Sequence, residues 1–113
     1  MPIDVVRRKD LPWSEIAHEF VGDDHGGVPF TFLLVDAAPG QGPALHTHPY
    51  VEVLIILEGE ATLDDGQGTR VVNTGDVVVI AAGQAHGFVN SGQSRLRQVD
   101  IHGSPRFATD WLE

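Results

Sequence analysis

The spacing of glycine turns restricts what this chain can become more than any other feature. Asp65-Gly66-Gln67-Gly68, Asn73-Thr74-Gly75, Ala82-Gly83-Gln84 and Asn90-Ser91-Gly92-Gln93 follow one another at short, even intervals. Glycine enters left-handed backbone without a steric penalty, and Asn and Asp side chains close local hydrogen bonds, so each cluster reverses a strand or ends a helix. Between them lie residues 61–64, 70–72, 76–80, 87–89 and 96–101, which are too short for ordinary helices and rich in β-branched side chains. Short strands joined by such turns predict an all-β sandwich or barrel. A length of 113 residues leaves room for a single domain with one core.

The flanks divide the chain further. Residues 1–12, with Pro2 and Pro12, predict an extended arm, and residues 13–20 carry Trp13, Ile16, Ala17 and Phe20 at helical spacing, which predicts a short helix with His18 turned to solvent. Gly22, Gly26, Gly27 and Pro29 surround Asp23-Asp24-His25, a solvated loop rather than an ion site. The arm thus covers about residues 1–29, the barrel about 30–103 and a C-terminal cap about 104–113, where residues 107–112 predict one helical turn. Residues 53–57 are apolar on both faces and predict a strand buried on both sides. The barrel interior would cover one face and a partner sheet or a second subunit the other, and with the extended N-terminal arm this makes a homodimer the expectation.

Composition removes several function classes. Sixteen acidic against 7 basic residues give a net charge of −9, which repels a phosphate backbone and an anionic bilayer alike. Arg7-Arg8-Lys9 is one small cluster and reads as solvated surface. No nucleic-acid or membrane partner is expected. With no cysteine, disulfides, thiolate metal sites and cysteine nucleophiles are excluded. The N-terminus lacks an apolar stretch of signal-peptide length, and a cytoplasmic location is the default expectation.

The residues that carry chemistry lie in two clusters. His46, His48 and Glu52 share parity, so a strand or near-strand would project two imidazoles and a carboxylate from one face. His86 opens a later strand just after a glycine turn, and pairing of that strand beside the first would add a third imidazole. Nitrogen donors with one carboxylate suit a divalent transition metal, with iron, manganese or nickel favoured for catalysis and zinc, cobalt or copper also admitted. Tyr50 shares parity with the first cluster and Phe88 with His86; Leu54 and Ile56 continue the first strand inward. On the last strand Gln98 and Asp100 make one parity polar, facing either the cavity or bulk solvent, while His102 ends that strand and reads as structural or exposed.

These residues resemble the cupins, small β-barrels of the jelly-roll type. The first cupin motif is matched from Gly40 through His46, His48 and Glu52 to Gly59, and the second from Gly75 through Gly83 and His86 to Asn90. The one departure is Ala81, where proline is usual. That proline stiffens a turn and binds nothing. The resemblance implies a cupin jelly-roll barrel with His46, His48, Glu52 and His86 as metal ligands. It also implies a range of activities, since metal-binding cupins include dioxygenases, isomerases, decarboxylases and lyases. The expected function is a small metalloenzyme acting on an oxygen-rich or aromatic small molecule chelated to the metal, in a pocket formed with Tyr50, Leu54, Ile56, Phe88, Gln98 and Asp100. The alternative is a non-catalytic binding or sensing module of the same fold.

Overall fold

The computed structural model describes residues 3–113. In chain order its strands are β1 (Trp13–Ser14), β2 (Ala17–Phe20), β3 (Thr31–Ala37), β4 (His46–Thr47), β5 (Glu52–Glu58), β6 (Glu60–Asp64), β7 (Thr69–Asn73), β8 (Val77–Ile80), β9 (Gly87–Asn90), β10 (Leu96–His102) and β11 (Asp110–Trp111). Among the described residues the helical content is two short 3-10 turns, Arg8–Asp10 and Gly22–His25. The fold is all-β, as the turn spacing requires.

A six-stranded sheet runs β1-β2-β3-β10-β5-β8, a three-stranded sheet runs β7-β6-β9, and β11 pairs with β4. All the pairs are antiparallel. The core lies on the inner face of the large sheet and the facing strands, where Val35, Leu54, Ile56, Ala61, Ile80, Phe88 and Leu96 are buried together. Gly59, at φ 101°, makes the sharp reversal from β5 into β6 that only glycine takes without strain. Gly42 answers a different demand. Its loop crosses β9 so closely that an added Cβ would stand 1.9 Å from the Phe88 carbonyl oxygen.

Two local expectations are corrected. Residues 13–20 are not a helix: β1 and β2 form a hairpin turning at Glu15, at φ 49°. An eight-residue helix is marginal by itself, whereas β2 satisfies the backbone of β3's free edge through Ala17↔Val35 and Glu19↔Leu33. His18 therefore packs edge-on against Trp13, with ring centroids 4.8 Å apart. Residues 107–112 are not a helical turn either, because β11 completes the hydrogen bonding of β4 and Leu112 N–H donates to the Leu45 carbonyl at 2.9 Å. Within the single chain, β5 is enclosed on its inner face by the core, at Leu54 and Ile56, while on the outer face, where a partner sheet or subunit is expected, Leu57 is exposed and Val53 and Ile55 are half-buried. In the Asp23-Asp24-His25 loop Asp23 pairs with Arg106 at 2.8 Å and His25 stacks on Phe20.

Candidate metal centre

His46 sits on β4 and His86 immediately before β9, and their backbones form a two-way bridge: each N–H donates to the other's carbonyl at 2.9 Å. His48 follows β4 and Glu52 opens β5. The chain leaves strand geometry between residues 48 and 51, so the shared parity of His46, His48 and Glu52 is not what brings them together. They converge because the chain bends at Pro49 and Tyr50 between β4 and β5. All four side chains are buried, and one ligand atom from each lies within 4.8 Å of every other.

Backbone carbonyls fix the tautomers of the three imidazoles. His46 Nδ1 lies 2.7 Å from the Ala44 carbonyl, His48 Nδ1 2.8 Å from that of Ala108, and His86 Nδ1 2.8 Å from that of Gln84. A carbonyl only accepts, so each Nδ1 carries a proton and Nε2 is the inward-facing atom that would ligate, for His86 after losing the proton it donates to Glu52. His86 Nε2 is 2.9 Å from Glu52 Oε1, whereas His48 Nε2 stands 3.3 Å from the same oxygen, unaligned and without a hydrogen-bond partner among the described residues. A buried, unpartnered nitrogen pointed at a carboxylate costs free energy unless a cation lies between them. The donor set fits a divalent metal held by His46, His48, Glu52 and His86.

Electrostatics follow from this packing. Burial pushes Glu52 upward, but the imidazoles of His102, His48 and His86 outweigh it and hold the carboxyl well below the usual range, so it is ionised. Burial lowers His46, and the neighbouring His86 and His48 add to that effect. His86 is raised, because its bond to Glu52 overcomes the effect of burial.

A cavity of about 710 Å³ opens from the cluster. Leu54, Phe88 and Asp100 line it. Ile56 is buried in the core beyond it, and Tyr50 lies behind the ligands, stacked on His48 with ring centroids 4.9 Å apart. Gln98 and Asp100 face inward, 1 % and 2 % exposed, and Gln98 Nε2 donates to Asp100 Oδ1 at 2.7 Å. His102, expected to be structural or exposed, is buried next to the site, its Nε2 3.3 Å from Glu52 Oε2 and its Nδ1 2.6 Å from the Tyr50 hydroxyl. The signal was its parity with Gln98 and Asp100. Trp111, 4.9 Å from the His46 ring, and Phe107, edge-on to His102, complete the wall from the tail.

Comparison with known proteins agrees with this architecture. No curated protein sequence matches the chain. A double-stranded β-helix protein from Klebsiella pneumoniae superposes with a TM-score of 0.71 at 24 % identity, covering 96 % of this chain and 90 % of that one. A cupin-like protein from Thermotoga maritima gives 0.76 at 23 %, covering 97 % and 89 %. Oxalate decarboxylase from Bacillus subtilis, a protein with Mn(II) centres, gives 0.76 at 22 %, covering 92 % of this chain but 30 % of its own length. The family model described as the cupin domain matches residues 33–102, and the chain belongs to that family.

Proposed function

We propose that this cupin is a small metalloenzyme acting on an oxygen-rich or aromatic molecule, with dioxygenase, isomerase or lyase chemistry as the reaction classes. The observation that carries the reading is the locked set of tautomers: three buried Nε2 atoms and one ionised carboxylate converge where a cation would satisfy all four. A divalent metal bound there, with iron, manganese or nickel favoured, supplies Lewis-acid or dioxygen chemistry to a chelating substrate. The chain's residues do the rest. Glu52 contributes the compensating charge, His102 and Tyr50 flank it, and Leu54 and Phe88 keep the adjoining wall dry.

The outer face of the large sheet supports a homodimer. Val53, Ile55, Val77, Val79, Val99 and Ile101 make a contiguous apolar patch across β10, β5 and β8, with Val77 62 % and Val79 71 % exposed. No Asp, Glu, Lys or Arg is among these six, so two copies of a strongly acidic chain meet there with the least repulsion.

Elemental analysis of the purified protein, followed by a turnover screen on catechols, enediols, β-diketones and uronates, tests the enzyme reading. Stoichiometric metal that is lost in Glu52→Ala is expected, with turnover in one substrate class. A metal-loaded protein that binds such compounds but converts none would make it a binding module.

A further inference from the structure

Strand register lays out the inner face of the large sheet in lateral rows. One row carries Thr31, His102, Glu52 and Ile80; the next carries Glu19, Leu33, Asp100, Leu54 and Val78. Two residues along a strand separate the rows, about 7 Å. Asp100 therefore stands one row from Glu52, between two leucines, on the wall of the cavity. Its Oδ1 accepts from Gln98, and no described residue donates to its Oδ2. Oδ2 is open to the cavity rather than enclosed, and there a ligand hydroxyl or ammonium group finds a hydrogen-bond partner that an alkyl group cannot use.

The charge around the cavity adds a second constraint. Glu19 is half-buried at the end of Asp100's row, Glu15 is exposed at the rim, and no described residue lining the cavity is Lys or Arg. Away from the His46, His48, Glu52 and His86 cluster, an anionic substituent set beside Asp100 and Glu19 would meet acidic side chains and no Lys or Arg. Burial pushes the Asp100 carboxyl above the usual range, so it holds a proton more readily than an exposed aspartate and can donate to a ligand oxygen as well as accept from a ligand O–H or N–H.

We propose that Asp100 is the specificity residue of this cavity and that its ligand is uncharged or cationic, directing oxygens to the His46, His48, Glu52 and His86 cluster and setting a hydroxyl or ammonium group one sheet row away against Asp100. The first half rests on the metalloenzyme reading; the second rests on Asp100 and the charge pattern alone. Small dicarboxylates such as oxalate do not fit this description.

Four probes with one skeleton separate the two halves: hydroxytyrosol, dopamine, ethylcatechol and dihydroxyphenylacetate differ only in the group at the far end. They are titrated calorimetrically into the protein with and without Mn(II). The alcohol and the amine are expected to bind about tenfold tighter than ethylcatechol, the worth of one good hydrogen bond to a buried carboxyl, and the acid more weakly than all three. Asp100→Leu should bring the alcohol to within about twofold of ethylcatechol by removing that bond. Should Asp100→Leu fail to fold, Asp100→Asn keeps the side chain's size and should cost the amine about fivefold while leaving ethylcatechol unchanged. Equal binding of the alcohol and the acid, a preference that survives the substitution, or no binding of any probe at millimolar concentration overturns the proposal. If Mn(II) tightens none of the probes, the metalloenzyme reading fails, while the ratio of alcohol to acid still decides the role of Asp100.

Discussion

At the end of the six-stranded sheet that holds the site, the two faces invert the usual distribution of polarity. Along β10 the buried inner positions after Leu96 are Gln98, Asp100 and His102, whereas the outer positions beyond the exposed Arg97 are the apolar, half-exposed Val99 and Ile101. On β5 the inner face opens with Glu52 before turning apolar at Leu54 and Ile56. An ordinary one-sided sheet hides its apolar face and shows its polar one. Here the inner face is divided between a core at one end and a site at the other, and the outer face carries apolar area that no described residue covers fully. Burial on the inside is spent on chemistry, so the outer face is where association would recover stability.

Four measurements can break or sharpen that contrast. Val79→Lys would put an ammonium on the outer patch of each copy, and burying two unpaired charges in a symmetric interface costs several kcal/mol. Light scattering should then show the mass fall from about twice 12.2 kDa to 12.2 kDa, with metal content unchanged; a wild-type monomer would remove the dimer, and a dimer surviving the substitution would move it to another face. Leu54→Ala is next: it opens a cavity in the packed inner row and should cost about 2–5 kcal/mol in denaturant unfolding, whereas Val79→Ala should stay within about 0.5 kcal/mol at subunit concentrations too low to associate. Similar costs at both positions would mean that the faces are not energetically distinct.

His102→Phe keeps a ring against Phe107 but removes the nitrogen facing Glu52. Metal affinity should drop about 10–100-fold, the range for groups that support a ligand, with a smaller drop in the same direction for Tyr50→Phe; unchanged affinity would reduce His102 to packing. The smallest effect concerns pH. His86 is raised, so without metal it keeps its Nε2 proton to a higher pH than an ordinary imidazole, and that proton must leave before the nitrogen can ligate. Affinity should therefore weaken by up to about tenfold per unit as pH falls through that raised value. His46, lowered by burial, competes only at more acid pH. An affinity flat between pH 8 and about 5 would show that the imidazoles do not ligate.

What could be read from the sequence was local. The four clustered residues were legible because the two motifs place them at fixed offsets within two short segments, and the barrel was legible because glycine turns leave few alternatives. The parity argument reached the right cluster by a geometry the chain does not use, since the strand breaks after Thr47. The contact of His102 with Glu52 was not legible because Glu52 lies on another strand, and only the β10–β5 register puts them side by side. The helix expected over residues 13–20 failed for a similar reason. Its periodicity was real, but the vacant edge of β3 decided the outcome, and an edge is a property of the assembled sheet. Trp111 gave no signal at all, because its role depends on which strand the tail finds.

The tail also bears on the order of events during synthesis. The carbonyl that fixes the His48 tautomer belongs to Ala108, 60 residues further along the chain, and β11 lays Trp111 over His46. A nascent chain that has released every proposed ligand still lacks the acceptor that turns the His48 lone pair inward. Orientation of the His48 donor therefore waits for residues 108–111, well after His86 has emerged, and an ion captured earlier would meet an incompletely oriented set of donors.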